Sequence, residues 1–400
     1  MKKTIHREKY HKRILPFAGK PVIKAITGQR RVGKSFLLHQ VVDHIAEKPG
    51  QAVIWIDKED EAFRSITDAE SLIAHIKAHS SPDRAKTCII IDEIQEIADF
   101  EAAIRSFAAR EQYDIYITGS NSDMLSGELA SRLTGRFVEI PVYGLDFNEF
   151  CTFHGLEQNA ESLKHFLKFG GMPFLRHLEL VEETAFEYLR SVAMNVVYKD
   201  IIARYNIRNV AFLDRLLYFL AGNVGSIVKA KNISDFLKSQ KVSISVNTVL
   251  DYLGYLSASH LVMPVKRLDI RGKRTFEVGE KYYFQDTGIR NALFGYRISD
   301  IGQIMENVVW HHLASHGYEV FTGDQGGREI DFVAMKNNER IYIQVAYLLS
   351  NESTVAREFG NLLAVRDNYR KMVVSMDDFA GGSHEGIEHV RLLDFLTKFG

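Results

Sequence analysis

The first third of the chain alternates short hydrophobic runs with longer segments in which apolar residues recur at helical spacing. The hydrophobic runs occupy residues 22–27, 52–57, 87–92, 114–118 and 137–142. Helical spacing occurs at residues 34–46, 71–78 and 100–110. Strands that are apolar on both faces and alternate with helices are typical of a parallel sheet covered on both sides. The pattern predicts an α/β fold whose first domain, residues 1–145, holds a five-stranded parallel sheet.

The pattern becomes helical after the predicted sheet. Residues 147–220 have helical character, and the Gly170-Gly171-Met172-Pro173 run within them predicts a turn. We therefore expect a helical lid or linker at residues 146–223.

A further change of pattern follows the helical region. Short helices at 233–240 and 246–257 precede strands at 261–265 and 275–284, with a polar tip at 269–274 between the strands. Two helices followed by a hairpin are the order of a winged helix. We expect a winged helix at residues 224–298.

The last quarter of the chain returns to mixed helices and strands. Helices are expected near 304–316 and 353–365, and strands near 318–321, 329–335, 340–347, 372–375 and 388–392. This order predicts a second, smaller α/β domain at residues 299–400.

Composition adds limits to this picture. The 400 residues are 46% hydrophobic and 25% charged, which is typical of a soluble globular protein with two to three domains. A net charge of −1 excludes a uniformly basic surface and leaves local basic patches open. Two cysteines, Cys88 and Cys151, make neither a disulfide framework nor a metal cage. No run approaches the roughly 20 apolar residues of a membrane span, so we expect no membrane contact and a cytoplasmic location.

Residues 28–35 carry the clearest chemistry of the chain. They fit the pattern G-x-x-x-x-G-K-[ST] between a predicted strand and a predicted helix. Backbone N–H groups of such a loop surround phosphates, the lysine reaches the β- and γ-phosphates, and the hydroxyl binds Mg²⁺. These roles fall to Lys34 and Ser35. The predicted ATP-binding set is Gly28, Gln29, Arg30, Arg31, Val32, Gly33, Lys34, Ser35 and Phe36.

Two carboxylates close the third predicted strand. The carboxyl ends of parallel strands form the ligand-binding edge of such sheets. Asp92 is therefore predicted to hold Mg²⁺ directly or through water, and Glu93 to polarise the water that attacks ATP. The alternative for the pair is an ordinary helix cap.

Polar residues beside the fourth and fifth strands complete the predicted site. Ser120 and Asn121 follow the fourth strand and could contact the γ-phosphate or the attacking water, or could cap a helix. Arg132 and Arg136 precede the fifth strand. An arginine there would face a neighbouring subunit's nucleotide and act as an arginine finger in trans; the alternative is a surface arginine.

These segments resemble a prokaryotic AAA-type ATPase family. The shared motifs are GQRRVGKS at the phosphate loop, IIIDEIQ at the third strand, ITGSNS after the fourth, LTGRF before the fifth, and the GGMP turn. The resemblance implies a P-loop ATPase core with a five-stranded parallel sheet, a helical lid, a winged helix and a C-terminal domain similar to restriction endonucleases. It covers essentially the whole chain, and its ATPase motifs are far more specific than its C-terminal ones.

Two basic segments suggest a nucleic-acid partner. Residues 261–281 carry six basic and three acidic side chains, and residues 1–13 carry six basic and one acidic. Arg271, Lys273 and Arg274 crowd the predicted wing tip, where they would contact DNA phosphates without reading sequence. The alternative is that these charges only solvate a hairpin that packs between subunits.

The C-terminal acids resemble a PD-(D/E)xK nuclease motif. Glu306 lies on the predicted helix, Asp331 in one strand and Gln344 in the next. Ala346 stands where that motif requires lysine, and Gln344 replaces an acid, so we expect a domain that binds without cutting.

Together these features predict an oligomeric ATPase, a hexameric ring, that uses ATP and Mg²⁺ to bind or remodel DNA, including branched or junction DNA. The alternatives are an ATP-driven signalling switch that binds protein partners and an ATP-gated nuclease.

Overall fold

The computed structural model describes residues 5–46, 51–80, 86–122, 136–271, 279–349, 352–377 and 382–399. The chain forms two compact units. The first comprises Met1–Val142 with Ala258–His260, and the second comprises Tyr143–Ser257 with Leu261–Gly400. Within the described ranges, every helix is too short or too polar to cross a bilayer.

The first unit is built on a five-stranded sheet, as the sequence predicts. Its strands, all parallel, are ordered β2-β3-β4-β1-β5. Their bounds are β1 (Ile23–Thr27), β2 (Gln51–Asp57), β3 (Lys86–Asp92), β4 (Tyr113–Gly119) and β5 (Phe137–Pro141). The central strands β1, β3 and β4 are buried almost throughout, which explains their unbroken apolar runs.

The described residues of this unit contain four helices. They are α1 (Glu8–Ile14), α2 (Lys34–Ala46), α3 (Ala69–His79) and α4 (Phe100–Ala108). Ile104 and Phe107 of α4 pack in one cluster with Ile89 and Ile91 of β3. Burial of these side chains stabilises the sheet by roughly 2 kcal/mol each.

Helix α1 changes the interpretation of the basic N-terminus. The sequence suggested that residues 1–13 offer their charges to a phosphate backbone. In the structure Tyr10, His11 and Ile14 are buried, and so is the Arg7 side chain just before the helix. His11 Nε2 lies 2.7 Å from Gln40 Oε1 of α2. Part of this basic segment therefore belongs to the fold of the first unit.

The second unit begins with helices. They are α5 (Phe147–His154), α6 (Ala160–Phe169), α7 (Glu182–Asn195) and α8 (Val210–Gly222), and α7 continues into a wider π-helical stretch at Val196–Ala203. A later helix, α11 (Thr287–Phe294), packs against α6, α7 and α8. The sequence did not predict α11.

The GGMP turn is explained by what it contacts. The Asp286 carboxylate caps α11 by accepting from Ile289 N–H at 2.9 Å, and also accepts from Gly171 N–H at 2.7 Å. Gly170 has φ of 73°, and a Cβ there would overlap Asp286. Burial raises the pKa of Asp286 to about 6, although the backbone N–H groups oppose that shift. The two glycines thus let the turn approach a buried carboxylate.

A three-stranded sheet follows, with strands ordered β6-β9-β7 and antiparallel. Its strands are β6 (Ile227–Val228), β7 (Val262–Val265) and β9 (Glu280–Phe284). The same stretch of chain holds α9 (Ala230–Ser239), α10 (Val246–Ala258) and the short strand β8 (Arg267–Asp269). Strand β8 lies between β7 and β9 in the chain and pairs with neither of them.

Strand β8 instead joins a seven-stranded mixed sheet. The order is β14-β15-β13-β12-β11-β10-β8, and Leu268 of β8 lies opposite Gly323 of β10 in a parallel register. The remaining strands are β10 (Glu319–Asp324), β11 (Glu329–Lys336), β12 (Glu339–Val345), β13 (Arg370–Ser375), β14 (Ser383–His384) and β15 (Ile387–Arg391). The expectation of a free polar tip at residues 269–274 is therefore wrong at its first residue, Asp269, which ends β8 opposite Asp324.

Where the structure describes this last part of the chain, three helices complete the unit: α12 (Ile301–Ser315), α13 (Glu352–Leu363) and α14 (Leu392–Lys398). Phe359 and Leu362 of α13 pack on Val333, Tyr342 and Val373 of the sheet. This is the smaller α/β pattern that the sequence predicts for the end of the chain.

Candidate functional site

The loop between β1 and α2 has the backbone that a phosphate site requires. Gly28 has φ of 144°, and a Cβ there would overlap the carbonyl oxygen of Val142. Gly33 has φ of 95°, a conformation that L side chains rarely adopt. Residues 28–33 therefore lead directly into α2, whose N-terminus carries the partial positive charge of a helix dipole.

Lys34 is buried against this loop. Its Nζ donates to the carbonyl oxygens of Gly28 at 2.9 Å and Gln29 at 3.2 Å. The same Nζ lies 3.6 Å from Glu93 Oε1. The ammonium is thus held at the mouth of the loop, beside the carboxylate that follows β3.

An arginine that the sequence did not single out supports the same loop. Arg7 Nη1 donates to the carbonyl oxygen of Val32 at 3.0 Å, and both residues are buried. The guanidinium also stacks on the Tyr10 ring at 4.5 Å. Arg7 immediately precedes α1 and lies far from the P-loop in sequence. Sequence motifs therefore do not reveal its contact with the loop.

Asp92 ends β3 and faces the beginning of α2. Its carboxylate accepts hydrogen bonds from the Ser35 and Thr118 hydroxyls. Burial raises the pKa of Asp92, although these two hydrogen bonds and Lys34 oppose that shift. Ser35 and Asp92 are therefore placed together, as the sequence predicts for a Mg²⁺ site.

Glu93 is held in an unusual backbone conformation, with φ of 53°. Its N–H donates to Thr118 Oγ1 at 2.9 Å, and its carboxylate accepts from Gln95 Nε2 and the Ser120 hydroxyl. Burial opposes its ionisation, but Lys34 and Arg30 outweigh burial and lower the pKa of Glu93. The carboxylate is therefore ionised and fixed in direction.

Thr118 joins the two acids, and sequence reasoning missed it. Its hydroxyl donates to Asp92 and accepts from the Glu93 backbone. The available signal was its place at the end of β4, inside the ITGS run that was noted only for the residues after it. Ser120 and Asn121 are also completely buried at this strand end.

The remaining predicted site residues are exposed, are paired with another side chain or lie outside the described residues. Arg136 is exposed at the start of β5, and Arg132 lies outside the described residues. Phe36 is 70% exposed in the first turn of α2. Arg30 lies 3.1 Å from Glu59, and Arg31 is exposed with φ of 71°.

Comparison with known proteins agrees with this geometry. Residues 20–151 match the AAA domain family. An uncharacterized protein of Haemophilus influenzae is 32% identical over 404 residues, which cover 99% of this chain and 100% of that protein. The chain belongs to the AAA-type ATPase family.

A second domain family and a second relative also match this AAA-type ATPase. Residues 160–300 match a domain of unknown function. An uncharacterized protein of Methanocaldococcus jannaschii is 29% identical over 352 residues, covering 84% of this chain and 77% of that protein.

Solved structures give weaker likenesses. Cdc6p from Pyrobaculum aerophilum is 11% identical with a TM-score of 0.31, covering 77% of this chain and 96% of that chain. The Aeropyrum pernix Orc1 protein in complex with DNA is 12% identical with a TM-score of 0.35, covering 73% and 93%. Both likenesses are too distant to bear on what this chain binds.

The residues predicted to contact DNA are only partly described. Arg271 is exposed, whereas Lys273 and Arg274 lie outside the described residues. Arg267 is paired with Asp324 at 2.6 Å, and Lys281 is 1% exposed. The basic charge available near this segment is therefore smaller than the sequence count implied.

Lys281 occupies the acidic cluster of the second unit. Its Nζ lies 2.8 Å from Glu306 Oε1, 2.8 Å from Glu329 Oε1 and 3.5 Å from Asp331 Oδ1. Burial disfavours its charge, but the three carboxylates outweigh burial and raise the pKa of Lys281. Burial and the Glu306 carboxylate raise the pKa of Asp331. A lysine ammonium thus lies among the three carboxylates.

The structure also describes the other residues that the sequence analysis compared with the nuclease motif. Gln344 Oε1 accepts from the Asp331 N–H at 3.3 Å, and Asp331 Oδ2 accepts from the Val345 N–H at 2.9 Å. Ala346 is buried. In the part of the chain that the structure describes, no group of three or more His, Cys, Asp or Glu residues is arranged to hold a metal ion.

Proposed function

We propose that this AAA-type ATPase binds ATP with Mg²⁺ at the edge of its first sheet and hydrolyses it. The observation that carries the proposal is the meeting of a P-loop lysine with two strand-end acids. Lys34 Nζ is 3.6 Å from Glu93, and Ser35 is hydrogen-bonded to Asp92. This arrangement supports phosphoryl transfer to water, in which positioning and charge stabilisation supply most of the rate.

Lys34 would bind the β- and γ-phosphates. Its present partners are two backbone carbonyl oxygens and a carboxylate. A triphosphate offers more negative charge to the same ammonium, and the N-terminus of α2 adds its dipole. Lys34 would therefore hold the phosphate chain and offset the charge that develops on it.

Ser35 and Asp92 would hold Mg²⁺. Both offer oxygen atoms, which are the ligands that Mg²⁺ prefers, and they already face each other. Asp92 is buried with a raised pKa, so a nearby cation would favour its ionised form. The metal, when bound, would neutralise phosphate charge.

Glu93 would orient and polarise the attacking water. Its lowered pKa keeps the carboxylate ionised at neutral pH, as a base requires. Gln95 and Ser120 fix its direction. Ser120 thereby touches the proposed base, while Asn121 remains a proposed contact to the γ-phosphate or the water.

The test compares two variants. Lys34→Ala should abolish nucleotide binding, measured by titration with a fluorescent ATP analogue, because it removes the ammonium from the phosphates. Glu93→Gln should bind ATP normally and fail to hydrolyse it, because it keeps the shape and removes the base. Glu59→Gln, which changes an exposed partner of Arg30, is the matched control and should retain hydrolysis. Near-normal turnover by Glu93→Gln would overturn the mechanism.

We further propose that ATP turnover is coupled to DNA. The second unit contains two short helices followed by antiparallel strands, and we interpret residues 224–298 as a winged helix. Arg271 is exposed just after β8, and Lys266 is exposed just before it. With Lys273 and Arg274 they would form a basic segment suited to a phosphate backbone.

The DNA proposal is tested by the Arg271→Ala/Lys273→Ala/Arg274→Ala triple variant. Its affinity should fall uniformly across sequences, and the slope of log affinity against log salt should fall by up to about 3. Lys199→Ala is a control for loss of positive charge elsewhere. If wild-type protein shows no DNA affinity at low salt and no DNA-stimulated hydrolysis, the signalling switch with protein partners replaces the DNA motor.

The nuclease-like domain, residues 299–400, we propose to be inactive in cleavage. Lys281 supplies a permanent cation to Glu306, Glu329 and Asp331, and two motif positions hold Gln344 and Ala346. Incubation of the purified protein with DNA and Mg²⁺ or Mn²⁺ should give no nicking. Metal-dependent cleavage that is lost on Asp331→Ala would favour the ATP-gated nuclease.

A further inference from the structure

Three residues from late in the chain belong to the nucleotide-binding unit. Ala258–His260 is part of the first unit, whereas the chain on both sides is part of the second. Helix α10 ends at Ala258 and β7 begins at Val262. The segment 258–260 therefore contains the last residue of α10 and belongs to the unit that holds the P-loop.

His260 is a buried polar residue of this segment. The residue is 5% exposed, and its buried Nε2 has no hydrogen-bond partner among the described residues. Burying a ring nitrogen without a hydrogen-bond partner costs free energy relative to leaving that nitrogen hydrated. The ring therefore has an unfilled hydrogen-bonding capacity inside the nucleotide-binding unit.

The backbone at His260 is also constrained. Its φ is 56°, in the left-handed region that favours glycine and tolerates asparagine. A helix end at this position would be made more easily by either of those residues. Helix termination alone thus gives no reason for an imidazole here.

The positive charge of Lys34, the proposed phosphate ligand, acts electrostatically on the His260 ring. Burial and, to a smaller extent, the Lys34 ammonium together lower the pKa of His260 to about 3. The ring is therefore neutral at physiological pH. A neutral imidazole can donate from Nε2 while Nδ1 accepts, so it can bind an anion without burying a second positive charge.

We propose that His260 is a nucleotide ligand, whose Nε2–H donates to a phosphate oxygen of ADP or ATP beside Lys34. The inference rests on the proposed ATP site and adds to it a contact from the α10–β7 segment. That contact would make residues 258–260 a sensor of bound nucleotide. Phosphate is the fitting acceptor because Lys34, whose charge acts on the ring, is itself the proposed phosphate ligand.

The experiment separates the ring from the backbone. His260→Gly suits the left-handed backbone and deletes the donor, while His260→Gln restores an amide donor at similar reach. His154→Gln is the matched control, because His154 is another histidine whose buried Nε2 has no partner among the described residues. Affinities for ADP and a non-hydrolysable ATP analogue are measured by competition with a fluorescent nucleotide.

His260→Gly should weaken both nucleotides by about tenfold or more, the effect of losing one hydrogen bond to a charged group. His260→Gln should recover most of that loss, and His154→Gln should bind as wild type does. Unchanged affinity in His260→Gly would overturn this inference alone. A wild-type protein that binds no nucleotide would overturn the proposed function and this inference together.

A second measurement keeps the inference testable if the variants misfold. Hydrogen exchange of wild-type protein reports the backbone amides of residues 259–261 with and without ADP. Slower exchange on ADP addition, absent in Lys34→Ala, supports the phosphate contact. Unchanged exchange in nucleotide-bound wild type contradicts it.

Discussion

A single hydroxyl group organises the two acids of the proposed ATPase site. Thr118 donates to Asp92 and accepts from the Glu93 N–H. The left-handed conformation of Glu93 is unfavourable for a non-glycine residue, and this hydrogen bond helps to hold it. Residues beyond the P-loop motif therefore set the direction of the proposed base.

Replacing Thr118 should test that role. Thr118→Val keeps the shape and removes both hydrogen bonds, so kcat for ATP hydrolysis should fall about 10- to 100-fold, as loss of bonds to charged groups predicts. ATP affinity should change much less, because Lys34 is untouched. Thr118→Ser should recover most of the rate in the same steady-state assay. Equal rates for Val and Ser would show that the hydroxyl has no part in turnover.

A second prediction at the scale of single residues concerns the effect of Lys281 on stability. Lys281→Met removes the cation from Glu306, Asp331 and Glu329 and should lower the free energy of unfolding by about 3–5 kcal/mol, as for other broken buried ion pairs. Mn²⁺ should then raise the melting temperature of the variant, because a divalent cation can replace the ammonium. The measurement is thermal unfolding without nucleotide.

The control for this prediction is Lys266→Met, which changes an exposed lysine. Its melting temperature and its response to Mn²⁺ should match those of wild type. If Lys281→Met is as stable as wild type, the acidic cluster does not depend on the ammonium.

At the scale of elements, the buried strands were the easiest to predict. β1, β3 and β4 read as apolar runs because the sheet buries both of their faces. Strand β8 was missed because three residues, Arg-Leu-Asp, carry no period, and its partner β10 lies more than 50 residues away in the chain. Helix α1 was missed because its charged residues were interpreted only as a basic patch.

The residues of the candidate site also divide into those that the sequence predicts and those that only the structure reveals. Gly28, Lys34 and Asp92 follow from a fixed spacing within one loop or at one strand end. Arg7 and Thr118 come from two other parts of the chain, and only tertiary contacts bring them to the site. His260, the proposed additional ligand, comes from a third part. Local patterns therefore reveal the groups that face phosphate and miss those that position or supplement them.

The GGMP turn gives a prediction for an element. In Gly170→Ala the new Cβ would overlap Asp286, and φ is 73°, so the free energy of unfolding should fall by more than about 3 kcal/mol. Gly155 has φ of 66° with nothing near its Cβ position, so Gly155→Ala should cost only about 1 kcal/mol. Urea denaturation of both variants measures the difference. Equal losses would mean that the turn does not need close approach to Asp286.

For the whole molecule, the open question is whether the ATPase needs a neighbour. Arg136 is exposed at the start of β5, where we propose it reaches another subunit's nucleotide. Mixtures of Arg136→Ala and Lys34→Ala protein should recover part of the wild-type rate, because each supplies what the other lacks. The same mixture with Arg132→Ala tells which arginine acts. A monomeric preparation with the full rate would contradict the trans arrangement.

The pairing of β8 with β10 has a consequence for the design of fragments of this protein. A fragment that begins at residue 299 would lack β8 and Lys281, although it would contain β10, Glu306 and Asp331. Strand β10 would then present an unpaired edge, which invites aggregation, and three acids would repel one another without their cation. Limited proteolysis or truncation near residue 299 should thus yield insoluble material. The C-terminal sheet can be produced as a stable fragment only if that fragment starts before β8.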